Sequence, residues 1–344
     1  MPRPMPVRSL IAALAAALLA GGCSDRPTAP DGGLPPITSL SVSGVRVNSA
    51  DFRTNGTFRL GLIATAADSV PILNTGVSVA VALTSLSSGD PAAFAVTRDN
   101  TTVSQPGSAD MRAAILLDDS GSMSSNDPTE FRSSAAELFW AAVLPVRAGN
   151  QVALLDFGAG ATAPFTNSRL LQAFTADASL LATKLSAIGA FGGTPLYESL
   201  LETVDWMTTN TTASQNRVIL LLTDGSPNST TSRDAAIQAA VDASITVHTV
   251  GLGPASDQSP SVSTAALTAV REIADRTGGV YSAATTAPAL EPIFAALARA
   301  TSRGQLISTF RITPVPASGT RVSGTVTVGS GGTTGVASFS FVAP

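Results

Sequence analysis

MRAAILLDDSGSM, residues 111–123, is the stretch on which the fold turns. Its first seven residues are apolar apart from Arg112, a pattern that fits a strand covered on both faces. The run then breaks into two carboxylates and two hydroxyls around a glycine: Asp118, Asp119, Ser120, Gly121 and Ser122. In a chain with only 13% charged residues, that concentration of oxygen at a strand end calls for a purpose. Gly121 allows a tight turn in which Asp118, Ser120 and Ser122, at alternate positions, direct their oxygens to one point. Hard oxygen donors without cysteine or histidine suit Mg²⁺, with Mn²⁺ or Ca²⁺ admissible, over zinc.

Around this stretch, strand and helix patterns alternate. QVALLDFG (151–158), RVILLLTD (217–224), ITVHTVGLG (245–253) and VYSA (280–283) read as strands. Helical periodicity marks the run from Phe131, then 169–188 as a broken helix, 195–207, 231–243, 263–279 and 289–300. The fold class expected for 111–301 is therefore α/β, a doubly wound, mostly parallel sheet with helices on both faces. In such sheets the site lies beyond the C-terminal ends of the strands. Two more turns reach that rim: GGTPLYESL offers Thr194 ahead of a helix, and LLLTDGSPN offers Asp224 at a strand end. Taken singly these are ordinary capping and turn residues; together they suggest one metal site.

The α/β stretch resembles a von Willebrand factor type A domain over about 190 residues, 111–301. DDSGS matches that family's metal-ion-dependent adhesion site, Asp-x-Ser-x-Ser, at Asp118, Ser120 and Ser122; the family's separate threonine falls on Thr194 and its later aspartate on Asp224. The resemblance implies a short antiparallel edge strand, for which ATAPFT (161–166) is the candidate. It also implies a Mg²⁺ ion held by these five side chains, whose open position takes a Glu or Asp of a protein partner. Asp119 occupies the free place of the motif and is expected to point away from the ion as a hydrogen-bond acceptor. Asn126 and Asp127 are candidates either for the ligand face or for solvated turn positions, Gly192, Gly193 and Pro195 for shaping the threonine turn, and Tyr197 for either ligand approach or packing.

Outside 111–301 the pattern is β. ITSLSVSGVRV, FRLGLIATA, VSVAVALTSL and AAFAVTR lie in 37–110, and LISTFRITPV, RVSGTVTVG and GVASFSFVA in 302–344. Neither set alone carries much core, so the two are expected to pair as a β-sandwich-like region with the α/β domain inserted between them. The glycine-rich VGSGGTTG (328–335) has no Lys-Ser/Thr continuation and reads as a hairpin.

Residues 1–22 carry Arg3, Arg8 and a twelve-residue apolar run, as a signal peptide does. LLAGGC resembles a bacterial lipoprotein signal, which implies lipidation at Cys23, the sole cysteine, and attachment to the cell envelope. Ser24 after it implies the outer membrane. The alternative is an ordinary cleaved signal followed by a free thiol. Residues 23–36, rich in Pro, Gly and Asp, read as a flexible tether.

With 20 basic against 24 acidic residues and a net charge of -4, no basic stripe exists for nucleic acid. His248, the only histidine, lies inside a strand pattern and is assigned to packing. Trp140 and Trp206, on helices, are assigned to the core or its edge. The functional expectation is a non-enzymatic, metal-dependent protein-binding module of the envelope. Two competitors stand beside it: a Mg²⁺-dependent phosphohydrolase with Asp118 as nucleophile, and a purely structural envelope protein. No lysine stands near the motif to clamp a phosphate, since the sole lysine is Lys184.

Overall fold

The computed structural model describes residues 39–66, 70–73 and 75–344. The signal segment, the tether and Cys23 lie outside them. The chain begins with β1 (Ser41–Asn48), a helical turn α1 (Phe52–Asn55), β2 (Thr57–Thr65), β3 (Ser78–Leu86) and β4 (Ala95–Ser104). Next come β5 (Met111–Asp118), a helical turn α2 (Met123–Asn126), α3 (Phe131–Val143), β6 (Gln151–Phe157), β7 (Ser168–Thr175) and α4 (Ala178–Lys184). They are followed by α5 (Leu196–Asn210), β8 (Asn216–Thr223), α6 (Arg233–Asp242), β9 (Thr246–Leu252) and α7 (Thr264–Thr277). Last are β10 (Tyr281–Ala284), α8 (Leu290–Arg303), β11 (Gln305–Thr313), β12 (Arg321–Ser330) and β13 (Thr333–Val342).

Within the α/β part the strand order is β10-β9-β8-β5-β6-β7, parallel throughout except for the β6–β7 edge. The apolar run of β5 is buried on both faces, as a central strand requires. Ala113, Ile115 and Leu117 join Phe139 of α3 and Phe294 and Leu297 of α8 in one core. Ala114 and Leu116 join Leu200 of α5, Ile237 of α6 and Ile273 of α7 in another. The period-two alternation of a strand thus feeds two helical layers.

The edge strand is not where the sequence places it. Residues 161–166 form a turn region, closed by Thr162 N donating to Ser168 O (3.0 Å) and Phe165 N donating to Thr162 O (2.9 Å). The antiparallel edge is instead β7, the first part of the run read as helix. Leu, Gln and Ala favour helix weakly, and pairing with β6 overrides that preference. The helix itself starts at α4, where the Asp177 side chain caps Ser179 N and Leu180 N.

The β flanks pair into the expected sandwich-like region, and its larger sheet is continuous with that of the α/β part. β1, β2, β11 and β4 continue the same sheet, giving ten strands in the order β4-β11-β2-β1-β10-β9-β8-β5-β6-β7. β1 joins β10 through a single register pair, Val45 with Tyr281. A second sheet, β13-β12-β3, covers that extension. Between them Phe52, Phe58, Phe310, Phe339 and Phe341 form an aromatic core, with Phe58 5.6 Å from Phe310 and 5.3 Å from Phe341. N- and C-terminal segments therefore share one hydrophobic core, and residues 37–344 form one unit. The β12–β13 hairpin turns at Gly331 and Gly332, both at positive φ.

Trp140, on α3, is buried in the core, and Trp206 stacks on Phe174 at 4.9 Å. His248 is enclosed: its Nδ1 accepts from Val280 N at 3.0 Å, and burial followed by the Arg46 charge pushes its pKa down to about 4. It is a neutral packing residue.

Candidate functional site

β5 lies between β6 and β8, so the chain leaves it at the point where connections diverge to opposite sides and open a crevice. Three loops meet there. The turn after β5 donates Gly121 N to Gly192 O (3.1 Å), and Phe191 N returns a bond to Asp119 O (2.7 Å). The threonine turn is tied to the loop after β8 by Asn228 N to Thr194 O (2.9 Å) and by Thr194 N to Asn228 Oδ1 (3.0 Å). Gly158, at φ +110°, lets the end of β6 approach: a Cβ there would sit 2.6 Å from Ser120 N. Gly192, at φ +71°, would meet Gly158 O at 2.1 Å. These glycines are needed for loop contact.

The five residues singled out in the sequence are brought together. Ser120 Oγ lies 3.2 Å from Ser122 Oγ, and Ser122 Oγ donates to Asp224 Oδ1 at 2.7 Å. A Cβ built on Gly225 would lie 3.2 Å from Thr194 Oγ1 and 3.8 Å from Ser122 Oγ, which places the threonine hydroxyl beside the serines. Asp118 accepts from Ser120 N through Oδ1 (2.8 Å) and from Thr223 Oγ1 through Oδ2 (2.5 Å). Asp118 and Asp224 are 0% and 1% exposed. Burial, then repulsion from Asp224, pushes the Asp118 pKa up to about 6, against the pull of its hydrogen bonds to Ser120 and Thr223.

The surrounding acids are treated differently. Asp119 points away from this cluster: Oδ1 accepts from Gly189 N (2.6 Å) and Arg132 (3.3 Å), and Oδ2 from Arg169 (2.9 Å). Arg132 also bonds Asp127 at 2.7 Å and Gly189 O; Arg169 also bonds Asp156 at 2.5 Å. Each of these three acids has an arginine. Among the described residues no basic side chain pairs with Asp118 or Asp224.

One expectation for the rim, that for Asp127, is revised, and the alternative left open for Tyr197 is resolved as packing. Asp127 is 1% exposed and accepts from Phe131 N (2.7 Å) and Arg132 N (3.1 Å); it holds the start of α3 and does not line a ligand face. Tyr197 is 2% exposed and packs among Leu200 and Val204. Asn126 does reach the site, donating to Asp224 Oδ2 at 2.7 Å. Arg132, Arg169 and Asp156 escaped sequence reading because their pairing is tertiary, across 13 to 50 positions.

Among the described residues no three His, Cys, Asp or Glu side chains form a metal-holding group; the cluster here has two carboxylates, and its other oxygens are hydroxyls. A profile of the von Willebrand factor type A domain family matches residues 113–226, a span that contains Asp118, Ser120, Ser122, Thr194 and Asp224. Among solved structures, the chain is similar to the vWF domain of the type V pili tip protein Mfa5 from Porphyromonas gingivalis, with 16% identity, 56% of this chain and 94% of that one covered, and TM-score 0.43. It is also similar to a von Willebrand factor type A protein from Catenulispora acidiphila, with 13% identity, coverages of 91% and 75%, and TM-score 0.46. A third is the PilB minor pilin from Streptococcus sanguinis, with 13% identity, coverages of 76% and 78%, and TM-score 0.44. No curated protein matches the chain. The α/β part of this chain is thus a von Willebrand factor type A-like core, matched by the family model over residues 113–226.

Proposed function

We propose that Asp118, Ser120, Ser122, Thr194 and Asp224 hold one divalent cation of the Mg²⁺ type and that the site binds an acidic side chain of a protein partner. The observation that carries this reading is the contrast among buried acids. Asp119, Asp127 and Asp156 each bond an arginine, whereas Asp118 and Asp224 repel each other and bond only neutral donors, the hydroxyls of Thr223 and Ser122, Ser120 N and the Asn126 amide. A buried carboxylate without a cation is expensive, and an all-oxygen set with two carboxylates fits a hard divalent ion. When bound, such an ion supplies a Lewis-acidic position to an incoming carboxylate. The protein's part is to hold the donors still. Thr223 and Ser120 N fix Asp118, Asn126 fixes Asp224, and the Asp119–Arg132–Arg169 network pins the turn from behind.

The geometry supports binding over catalysis. An aspartyl-phosphate route would need a basic clamp beside Asp118, and among the described residues no basic side chain pairs with it. The module is read as a cell-envelope protein, anchored through lipidated Cys23 and its tether, with the outer membrane as the membrane concerned. Among the described residues no helix is long and apolar enough to cross a membrane.

Calorimetry with Mg²⁺ on the wild type, Ser120→Ala and Thr194→Ala tests the ion, and recovery of crosslinked envelope partners with and without chelator tests the binding. Equal Mg²⁺ binding by all three proteins rejects the assignment. Chelator-insensitive recovery rejects the role in adhesion.

A further inference from the structure

Away from the three loops, a cleft of about 1100 Å³ runs between α7 and the edge formed by β1, β12 and β13. Its walls mix apolar side chains with five arginines, Arg46, Arg233, Arg271, Arg276 and Arg321. Arg233 and Arg276 are occupied by Asp234 and Glu272. Arg271 bonds Asp257 at 2.5 Å and lies 5.0 Å over the Tyr281 ring. Arg46 of β1 and Arg321 of β12 differ: no hydrogen bond or ion pair joins either guanidinium to a described residue, although both line the cleft and Arg321 attracts Asp275 through space. Burial lowers the Arg46 pKa, so this charge is desolvated without compensation. Asp275 also lines the cleft with no bonded partner, and burial pushes its pKa up to about 7 against the pull of Arg271 and Arg321.

An unmatched guanidinium in a partly dry cleft is a fork for a carboxylate. A simple anion would satisfy the arginines but leave Asp275 facing a like charge. A ligand that carries hydroxyls as well as a carboxylate satisfies both, and Asn48, Thr268 and Ser323 on the walls add short polar partners for such groups. The volume exceeds what one small ring fills and matches a ligand of several rings. We propose that this cleft binds an acidic oligosaccharide, with uronate carboxylates on Arg46 and Arg321 and ring hydroxyls donating to Asp275.

Calorimetry on the full chain in chelator, which removes any divalent ion from the other site, tests this. The probes are tetramers of galacturonate, glucuronate and mannuronate, with a neutral galactose tetramer, citrate and inorganic phosphate as controls. At least one uronate tetramer is expected to bind, and to bind at least tenfold more weakly to Arg46→Gln and to Arg321→Gln. Arg321 is exposed, so its variant keeps the fold even if the Arg46 variant does not. Asp275→Ala is expected to weaken the uronate and to spare citrate. Failure of all three uronates overturns the inference. So does citrate or phosphate binding as tightly as the uronate, which reduces the cleft to a simple anion site, or uronate binding that ignores Arg321.

Discussion

Asp118→Asn is expected to stabilise the metal-free protein at neutral pH and to destabilise it, relative to wild type, when Mg²⁺ is present. The Asp118 pKa is raised from 3.8 to about 6 in the fold. Between those values the folded state binds more protons than the unfolded chain, so wild-type stability falls as pH rises from about 4 to 6 and stays low above. That difference corresponds to about 3 kcal/mol at pH 7. Asparagine removes the charge and keeps the bond from Ser120 N. It gives up the bond from the Thr223 hydroxyl, worth about 1–1.5 kcal/mol. The net gain is about 1.5–2 kcal/mol, or roughly 3–6 °C in Tm. At pH 4.5 the advantage disappears, because the wild-type carboxyl is already protonated. Saturating Mg²⁺, at about 100 times its Kd, adds about 2.7 kcal/mol to the wild type alone and reverses the order. Thermal unfolding of both proteins at pH 4.5 and 7, in chelator and in Mg²⁺, reads all four cases. A variant less stable than wild type in chelator at pH 7, or equal Mg²⁺ stabilisation of both, would refute the reasoning.

Arg132→Met removes a cation that is 1% exposed and bonds two fully buried acids; a loss of about 3–5 kcal/mol is expected in denaturant unfolding, and a loss under about 1 kcal/mol would deny the network its structural role. Gly158→Ala puts a Cβ against Ser120 N at positive φ, so Mg²⁺ affinity measured by calorimetry should drop at least tenfold while the far sandwich core, monitored by near-UV dichroism, is unchanged. Phe58→Ala empties the centre of the aromatic core, where four rings lie within 6.4 Å; about 3–5 kcal/mol should be lost, with Mg²⁺ affinity in the remaining folded protein preserved.

The site was legible in the sequence because its parts are local: a motif at one strand end, a Gly-Gly-Thr-Pro turn and an aspartate closing another buried run. The two helical layers were legible for the same reason, through periodicity. β7 was not, because Arg169 to Phe174 carry residues that suit either structure, and pairing with β6 decides between them. One local signal does mark the break: Asp177, followed by Ser179, is an N-cap in the middle of the run. The continuity of the flanking strands with the central sheet was also hidden. Alternation shows that Val45 and Val47 face a core, but not that Val45 lies opposite Tyr281. The arginines behind the site belong to the same category, since charge pairing across 50 positions leaves no periodic trace.

The α/β domain leaves and re-enters the β framework at neighbouring points, for Ser104 lies opposite Gln305 in the β4–β11 ladder, and Gly304 is so close that a Cβ would strike Ser104 O at 2.2 Å. The same junction makes the domain a cassette in chain connectivity: a relative of equal span could be grafted between 104 and 305, provided that its last strand pairs with β1 as β10 does.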